Sequence, residues 1–457
     1  MAEIAKVKYL IIGNSAGGIG AAEAIREIDR TGTMTILSDE PYPAYSRPLI
    51  SKYLAEKRLL GKMLFRPADF YKQNNIQTLL GSNAQKLNIA EHTIEIEGGK
   101  KIAWEKLLLA TGGSPIIPKI AGLERKGVFT FITLDDAKTI NRFLNQLPQG
   151  TIRAVVIGGG LIGVSVTEAL VKRGVQVTIV EMKDWILNTM LDKETATIVA
   201  KTLRQAGVNI VTGHTAIKIT SDLTGTADGV TLDDNQSLPT ELVIAASGVK
   251  PRTDLVIGTR MKINRGIVVD HHMTTSVPDI YACGDVAEIY DFIYEETRVT
   301  PIWPSAYIGG RICGFNMANV PKEYPESTAM NSLNYFGIDV VSAGMCSPPT
   351  IISKGRQADP PNNSYEVLTS QSNHTHRRIV LKNGRVVGLV FIGNVEKSGI
   401  IHNLIKERIN VSRFKRELLA DDLSLATLPR EIWQPHLTPT NATMAHMEKP
   451  EGVTVGE

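Results

Sequence analysis

Cysteine is scarce in this sequence of 457 residues, which has only three: Cys283, Cys313 and Cys346. They lie far apart and form no pair with the spacing of metal ligands, so we expect neither a metal site nor an iron–sulfur cluster within the chain. So few cysteines also fit a reducing compartment, where disulfides are rare. We therefore expect three small buried thiols and a cytoplasmic protein.

Long apolar runs and a strong charge of either sign are also missing. No run approaches the roughly 20 apolar residues that cross a bilayer. The apolar stretch 9–24 is interrupted at Gly13, Asn14 and Ser15, and we do not expect it to be a signal peptide. No membrane span is therefore expected, and with a net charge of only +3 no nucleic-acid partner is expected either. The length suits about three globular domains.

Glycine, in contrast, is abundant, and its clearest pattern follows the apolar run AVVI at 154–157. Gly158, Gly160 and Gly163 have the G-x-G-x-x-G spacing and precede a helical stretch. In this motif the first glycine permits a tight turn, the second lets the backbone approach a pyrophosphate, and the third lets the helix pack on the strand. The helix N-terminus then faces the phosphates.

An acidic residue follows this turn at the distance expected of a dinucleotide site. The next strand, 175–180, ends at Glu181, where a carboxylate can accept both ribose hydroxyls of an adenosine. Met182 and Lys183 come next, and no arginine stands beside the acid to bind a 2′-phosphate. The sequence therefore favours NAD(H) over NADP(H).

A second copy of the motif begins at Val7. The sequence VKYLIIGNSAGGIG has Gly13 and Gly18 in the outer glycine positions and Ser15 in the middle one. Because serine adds a side chain where the backbone should approach a pyrophosphate, this copy is weak by itself. Three later segments support it: a strand that ends before Asp39, LLLATGGSP at 107–115, and VPDIYACGDVA at 277–287. Two such units predict two dinucleotides held face to face, as in a flavoprotein that exchanges hydride with a nicotinamide.

Together these motifs resemble the two-dinucleotide flavoprotein reductases, which include NADH:rubredoxin, ferredoxin and disulfide reductases. The resemblance covers roughly residues 6–415 and implies FAD and NAD(H) as cofactors. It implies that Asp39 binds the FAD adenosine ribose, that Asp285 binds the ribityl chain, and that the candidate catalytic residues Lys52 and Trp303 lie near the flavin ring. The implied cofactor-binding residues are Gly13, Ser15, Ala16, Gly18, Asp39, Arg47, Lys52, Thr111, Gly112, Gly158, Gly160, Ile162, Gly163, Glu181, Gly248, Gly284, Asp285 and Trp303.

One segment lacks the nucleophile that other branches of this family carry. Disulfide reductases have two cysteines beside the flavin, and the branch of coenzyme A disulfide reductases and water-forming oxidases has one. Here residues 41–54 hold no cysteine, and Pro48 occupies the position expected for the single cysteine. Because disulfide exchange and a sulfenate cycle both need a thiolate, neither reaction is expected.

A second departure concerns the charge partner of Lys52. In many relatives this lysine pairs with a glutamate two residues after the third glycine of the NAD turn, where this chain has Ser165. Either Lys52 is unpaired and acts more strongly on the flavin, or another acid such as Glu168 compensates. The residues alone leave both alternatives open.

These motifs predict an α/β fold with two Rossmann-like dinucleotide-binding domains and a C-terminal α+β domain, the NAD domain being inserted in a discontinuous FAD domain. The expected boundaries are 1–115 and 246–325 for the FAD domain, 116–245 for the NAD domain, 326–420 for the C-terminal interface or cap domain, and 421–457 for an extended tail. Within the C-terminal domain, Asn383-Gly384 predicts a hairpin in 377–393, and 396–410 has helical spacing.

The expected function is electron transfer between NADH and a one-electron iron–sulfur carrier, rubredoxin or ferredoxin, through the flavin and without a cysteine relay. One alternative is an FAD- and NAD-binding subunit of a larger oxidoreductase, which exchanges electrons with iron–sulfur subunits. Another is a non-catalytic flavin-binding redox sensor. The expected partner is therefore an iron–sulfur carrier or subunit, in a homo- or hetero-oligomeric protein.

Basic residues concentrate in 406–418, which includes Arg413, Lys415 and Arg416. Such a cluster can steer the encounter with an acidic iron–sulfur carrier, unless it is simply a solvated helix face. Reversing the charge of these three residues should slow carrier reduction at low salt and leave NADH oxidation by ferricyanide intact. Unchanged rates in both assays would reject a role in carrier docking.

Overall fold

A computed structural model gives the fold and describes residues 5–55, 59–148, 150–326, 328–348, 351–353, 356–358, 365–372 and 375–437. The chain divides into two compact units, Met1–Gly344 and Met345–Glu457. None of the helices within the described ranges is long and apolar enough to cross a membrane.

The first unit begins with a sheet that is parallel at its centre. Its first elements are β1 (Ala5–Ile12), α1 (Ala16–Ile28), β2 (Met34–Ser38), α2 (Ile50–Leu54), α3 (Phe70–Gln73), β3 (Gln77–Leu80), β4 (Ala84–Asn88), β5 (Thr93–Ile96), β6 (Lys101–Leu109) and β7 (Gly113–Pro115). The order in the sheet is β3-β2-β1-β6-β5-β4, and β1 runs parallel to both β2 and β6. Leu10, Ile36 and Leu107 in these strands are fully buried, because both faces of a parallel sheet are covered.

A second parallel sheet follows in the same unit. The elements here are β8 (Val128–Phe129), α4 (Leu134–Gln146), β9 (Arg153–Ile157), α5 (Leu161–Lys172), β10 (Gln176–Glu181), α6 (Lys193–Gln205), β11 (Asn209–Thr212), β12 (Ala216–Ser221), β13 (Ala227–Leu232), β14 (Ser237–Pro239), β15 (Leu242–Ala245) and β16 (Val249–Pro251). The parallel strands have the order β11-β10-β9-β15-β8, and β12-β13-β14 form a small separate sheet. A capping box of Thr133 and Asp136 starts α4 by satisfying its first N–H groups.

The chain then returns to the first sheet. The next elements are β17 (Ile267–Val268), β18 (Ile280–Ala282), β19 (Ala287–Asp291), β20 (Glu296–Val299), α7 (Trp303–Met317), β21 (Met330–Tyr335) and β22 (Ile338–Gly344). Strand β18 pairs in parallel with β6, so the first sheet is completed by a segment that follows the second sheet in sequence. This topology confirms the predicted α/β fold with one dinucleotide-binding sheet inserted in another. The individual domain boundaries stay predictions.

The second unit is built on antiparallel strands. Its described elements are β23 (Ile351–Ser353), β24 (Arg356–Ala358), β25 (Tyr365–Gln371), β26 (His376–Lys382), β27 (Arg385–Ile392), α8 (Ser398–Lys406) and α9 (Arg430–Leu437). Strands β26 and β27 form the predicted hairpin at Asn383-Gly384, where both residues have positive φ, 53° and 73°. Helix α8 lies in the segment with helical spacing. The predicted extended tail, 421–457, is helical at α9, and 438–457 lie outside the described residues.

Helices α1 and α7 cross at direct backbone contact. A Cβ on Gly310 would lie 2.0 Å from the carbonyl oxygen of Gly17, and one on Gly314 would lie 2.4 Å from that of Ala21. Side chains therefore do not fit at the crossing, and the glycines of α7 set the distance between the two helices.

Gly310→Ala should lower the free energy of unfolding by about 1–3 kcal/mol, because an added methyl group overpacks an interior that has no space for it. Urea or thermal unfolding measures the change. Gly61→Ala is the matched control, since a Cβ there meets nothing within 4 Å. An unfolding midpoint equal to that of the wild type for Gly310→Ala would show that the crossing is less constrained than its geometry indicates.

Candidate dinucleotide-binding sites

The turn between β9 and α5 has the close backbone contacts that its glycine spacing predicts. Gly158 has a φ of 111°, and a Cβ there would lie 2.3 Å from the carbonyl oxygen of Ala246. A Cβ on Gly163 would lie 1.9 Å from the carbonyl oxygen of Gly158. Gly160 differs, because a Cβ there meets nothing within 4 Å. This open backbone at the N-terminus of α5 can admit a pyrophosphate, and the half-buried Ile162 follows in the first helical turn.

The turn between β1 and α1 has the same construction despite its serine. Gly13 has a φ of 122°, and a Cβ there would lie 2.1 Å from the carbonyl oxygen of Ala110. A Cβ on Gly18 would lie 1.9 Å from the carbonyl oxygen of Gly13. Ser15 is the N-cap residue of α1 and makes no side-chain capping bond, and Ala16 begins the helix as a buried residue. The serine is therefore compatible with a tight turn of the dinucleotide-binding kind.

Glu181 ends β10 directly beside the turn between β9 and α5. Its Oε2 accepts the N–H of Gly159 at 2.7 Å, and its Oε1 accepts the N–H of Lys183 at 2.9 Å. Only 7% of the residue is exposed. The two backbone bonds fix the carboxylate at the carboxyl edge of the sheet and leave further lone pairs available. The predicted bond to a ribose uses these lone pairs and stays a prediction.

Two acids follow β2, and each has a different cationic partner. Asp39 Oδ2 lies 2.6 Å from Arg252 Nη1. Glu40 forms an ion pair with Arg47 and accepts the Tyr45 hydroxyl at 2.5 Å. The structure thus places the predicted residues Asp39 and Arg47 at one edge of the first sheet. It adds Glu40 and Arg252, which the sequence analysis did not select.

The other predicted residues of this edge follow the carboxyl ends of parallel strands. After β6, Thr111 Oγ1 donates to the carbonyl oxygen of Arg252 at 2.9 Å, and the carbonyl oxygen of Gly112 accepts the Arg252 N–H at 2.9 Å. Gly112 and Gly284, which follow β6 and β18, have φ of 69° and 74°, values that glycine adopts without strain. Gly248 has a φ of 106° and follows β15, so it lies at the corresponding edge of the second sheet. In open α/β sheets this edge is where ligands bind.

The hydrogen bonds of Asp285 indicate whether a cofactor with several hydroxyl groups fits this site. The residue follows β18, and among the described residues only its own backbone N–H bonds to its carboxylate. Burial raises its pKa, and the positive charge of Arg47 opposes that shift. The residue is only partly buried, and its carboxylate retains lone pairs that can accept the hydroxyl groups of a ligand. Asp285 and the two tight turns therefore fit FAD in the first sheet and a second dinucleotide in the other.

Lys52 on α2 is paired, which favours the second of the two alternatives for its partner. Lys52 Nζ lies 3.8 Å from Glu168 Oε2. Glu168 Oε1 also accepts Lys172 Nζ at 2.6 Å and the backbone N–H of Phe336 at 3.1 Å. The Glu168 side chain is only 8% exposed, and the two hydrogen bonds together with the nearby Lys52 charge compensate this nearly buried carboxylate. Glu168 is thus the acid that approaches Lys52.

Ser165, at the position expected for that acid, has a different contact. Its Oγ lies 3.1 Å from the hydroxyl of Tyr335, which also donates to the carbonyl oxygen of Leu161 at 3.2 Å. Burial raises the pKa of Tyr335 to about 12, so the phenol stays protonated at neutral pH. No local motif in the sequence connects Tyr335 with α5, so this contact could not be predicted from the residues alone.

Trp303, the first residue of α7, belongs to an aromatic group. Its ring centroid lies 5.1 Å from that of Phe65, with the rings nearly perpendicular, and Phe65 lies 5.9 Å from Tyr307 in a similar arrangement. Such edge-to-face pairs hold aromatic rings in defined orientations. None of these ring contacts joins Trp303 to another predicted site residue, and its position beside a flavin stays a prediction.

The three cysteines are free and buried, as expected. Burial raises the pKa of the Cys313 thiol well above its usual value. A buried thiol of high pKa is a poor nucleophile. Their environment therefore agrees with a site that uses no cysteine.

The model of the pyridine nucleotide-disulphide oxidoreductase family matches residues 7–310. The chain belongs to this family. A second model, the Rubredoxin NAD+ reductase C-terminal domain, matches residues 330–409. Membership confirms the predicted family, its fold, and FAD and NAD(H) as the cofactors of this oxidoreductase.

Individual relatives of this oxidoreductase agree with the family assignment. NADH-dependent phenylglyoxylate dehydrogenase subunit epsilon of Aromatoleum evansii is 30% identical over 434 residues, which are 94% of this chain and 98% of that protein. NADH-rubredoxin oxidoreductase of Clostridium acetobutylicum is 28% identical over 337 residues, 74% of this chain and 81% of that protein. The structure of an NAD-dependent persulfide reductase from A. fulgidus has a TM-score of 0.81 and 25% identity, covering 92% of this chain and 80% of that one.

In this oxidoreductase the chain contributes binding, orientation and charge. Bound FAD supplies an acceptor for a nicotinamide hydride that can release its electrons singly. The N-termini of α1 and α5 would hold the pyrophosphates of the two dinucleotides, because backbone N–H groups are free there. Glu168 places a negative charge 3.8 Å from the Lys52 ammonium group, so the two side chains form an ion pair.

Glu181→Gln should weaken NADH binding by about ten-fold or more, because a hydrogen bond to a charged acceptor contributes about 1.5–3 kcal/mol. NADPH binding should change less, so the preference for NADH should fall. Anaerobic equilibrium titration of the protein with its flavin already reduced measures both, because a reduced flavin cannot consume the added nucleotide. Asp184→Asn is the matched control, since this acid is exposed. An unchanged affinity for NADH in Glu181→Gln would argue against the ribose role.

Proposed function

We propose that this chain transfers electrons between NADH and a one-electron iron–sulfur carrier, rubredoxin or ferredoxin, through FAD and without a cysteine relay. The observation that carries the proposal is the missing thiol. Residues 41–54 contain no cysteine, and Pro48 occupies the position expected for the single cysteine of related enzymes. Because transfer of an electron pair to a disulfide or a sulfenate needs a thiolate, a one-electron acceptor suits this flavin site better.

One relative and one domain model support the choice of acceptor. One is named NADH-rubredoxin oxidoreductase, and residues 330–409 match a domain model named after rubredoxin NAD+ reductase. We infer that the carrier approaches the same flavin that NADH reduces, since a flavin can accept two electrons together and deliver them one at a time.

The site residues have proposed roles in this reaction. Lys52, held by Glu168, supplies positive charge where the reduced flavin is negative, and Trp303 covers the ring. Asp39 and Asp285 bind the adenosine ribose and the ribityl chain of FAD. Glu181 binds the ribose of NADH.

A second function has a specific observation in its favour. The relative from Aromatoleum evansii is named as a subunit, and it matches along 98% of its length. The chain would then be the FAD- and NAD-binding subunit of a larger oxidoreductase and would exchange electrons with its iron–sulfur subunits. The nicotinamide chemistry is the same in both proposals, and only the electron partner differs.

The basic segment 406–418 remains a candidate docking surface for an acidic partner. Arg413 and Arg416 are exposed, whereas Lys415 pairs with Glu366 at 2.7 Å and 2.8 Å. We therefore expect the two arginines to contribute most of the effect of charge reversal. A cytoplasmic location also stays a prediction, which fractionation of the native host would test.

Purification of the native protein under mild conditions would distinguish the two functions. A free-standing reductase should elute without iron–sulfur subunits, show rapid bleaching of its flavin by NADH, and reduce added rubredoxin or ferredoxin. Co-elution with iron–sulfur subunits would instead assign the chain to a larger oxidoreductase. A protein that binds FAD but is not reduced by NADH would contradict both and favour a redox sensor.

A further inference from the structure

Arg252 is absent from the residues that the glycine motifs and the family resemblance select, yet three selected residues contact it. Asp39 Oδ2 lies 2.6 Å from its Nη1. Thr111 Oγ1 donates to its carbonyl oxygen at 2.9 Å, and the Gly112 carbonyl oxygen accepts its N–H at 2.9 Å. Arg252 is thus where the ends of β2 and β6 meet the segment that returns from the second sheet.

The backbone of Arg252 is held in place by more than these two hydrogen bonds. Strand β16 pairs in antiparallel fashion with β7, and the register places Pro251 opposite Gly113. Arg252 comes directly after this pair. Its backbone is therefore fixed at the carboxyl edge of the first parallel sheet, the edge at which open α/β sheets bind dinucleotides.

The guanidinium group retains most of its hydrogen-bonding capacity. It has five N–H donors, and Asp39 is its one side-chain partner among the residues that the structure describes. The two side chains are 38% and 44% exposed. An exposed ion pair of this kind contributes only about 0–1 kcal/mol to stability, so stability alone gives little reason for such a well-anchored arginine.

The pair is also suited to a ligand that carries both hydroxyl and phosphate groups. Arg252 contacts Oδ2 of Asp39, which leaves Oδ1 to accept a bond from a hydroxyl group. The free guanidinium N–H groups offer a planar set of donors, and this geometry matches phosphate oxygens. The adenosine diphosphate half of FAD has both kinds of group.

We propose that Arg252 binds the adenosine diphosphate half of FAD. It donates to oxygens of that half and holds Asp39 with one carboxylate oxygen free for a ribose hydroxyl. This role concerns cofactor binding and is independent of the electron partner, so it applies to the free-standing reductase and to the subunit of a larger enzyme alike.

The test is the affinity of the flavin-free protein for FAD, measured by flavin fluorescence with saturating NAD+ present to fill the second site. Arg252→Gln should weaken FAD binding by about ten-fold or more, because it removes charge-assisted hydrogen bonds. The FAD affinity of Arg252→Lys should lie between those of the wild type and Arg252→Gln, since lysine keeps the charge but lacks the planar set of N–H donors. Lys250→Gln, two residues away and exposed, should bind FAD as the wild type does.

The unfolding temperature of the same flavin-free proteins separates a binding role from a structural one. The proposal expects Arg252→Gln to unfold within about a degree of the wild type, as surface substitutions usually do. An FAD affinity that is unchanged or higher in Arg252→Gln would overturn the proposal, because Arg252 would then pair with Asp39 without binding FAD. A fall in FAD affinity matched by a clear fall in the unfolding temperature would overturn it as well, since the loss would come from the fold.

Discussion

The structure depends on two positions where a glycine lies directly against the backbone of a neighbouring chain segment. At Gly13 and Gly158 an added Cβ would come within 2.1 Å and 2.3 Å of a carbonyl oxygen, and both residues have positive φ. Only glycine allows a parallel strand to pass into a helix within so short a turn. Each turn therefore brings a helix N-terminus to the carboxyl edge of its sheet, and the acids and glycines that follow the other strands gather around that edge.

The charge arrangement near Lys52 follows from helix geometry. Ser165 and Glu168 are three residues apart on α5 and thus share one face of the helix. Moving the acid by one turn keeps it on the side from which Lys52 approaches, and the space at Ser165 is used by the hydroxyl of Tyr335. This chain lacks the usual acid at Ser165, but Lys52 still has a negative partner, the nearly buried carboxylate of Glu168.

Features set by neighbouring residues could be predicted from the sequence, and features set by distant ones could not. The two glycine turns, the acid that ends β10 and the hairpin at Asn383-Gly384 depend on a few consecutive residues with strong backbone preferences. In contrast, the pair of Asp39 with Arg252 joins positions 213 residues apart, and the contact of Ser165 with Tyr335 joins positions 170 apart. Such contacts depend on how whole elements pack, and no local pattern in the sequence records them.

The central claim is that this chain holds FAD and NAD(H) so that hydride passes between them with no thiol acting as a second acceptor. Anaerobic titration of the flavin-loaded protein with NADH tests it most directly. The account predicts that about one NADH per flavin bleaches the flavin absorbance completely, because the flavin takes up one electron pair and nothing else in the chain takes another. Consumption of a second equivalent would reveal a hidden redox group in the chain, and a flavin that NADH leaves oxidised would contradict the transfer itself.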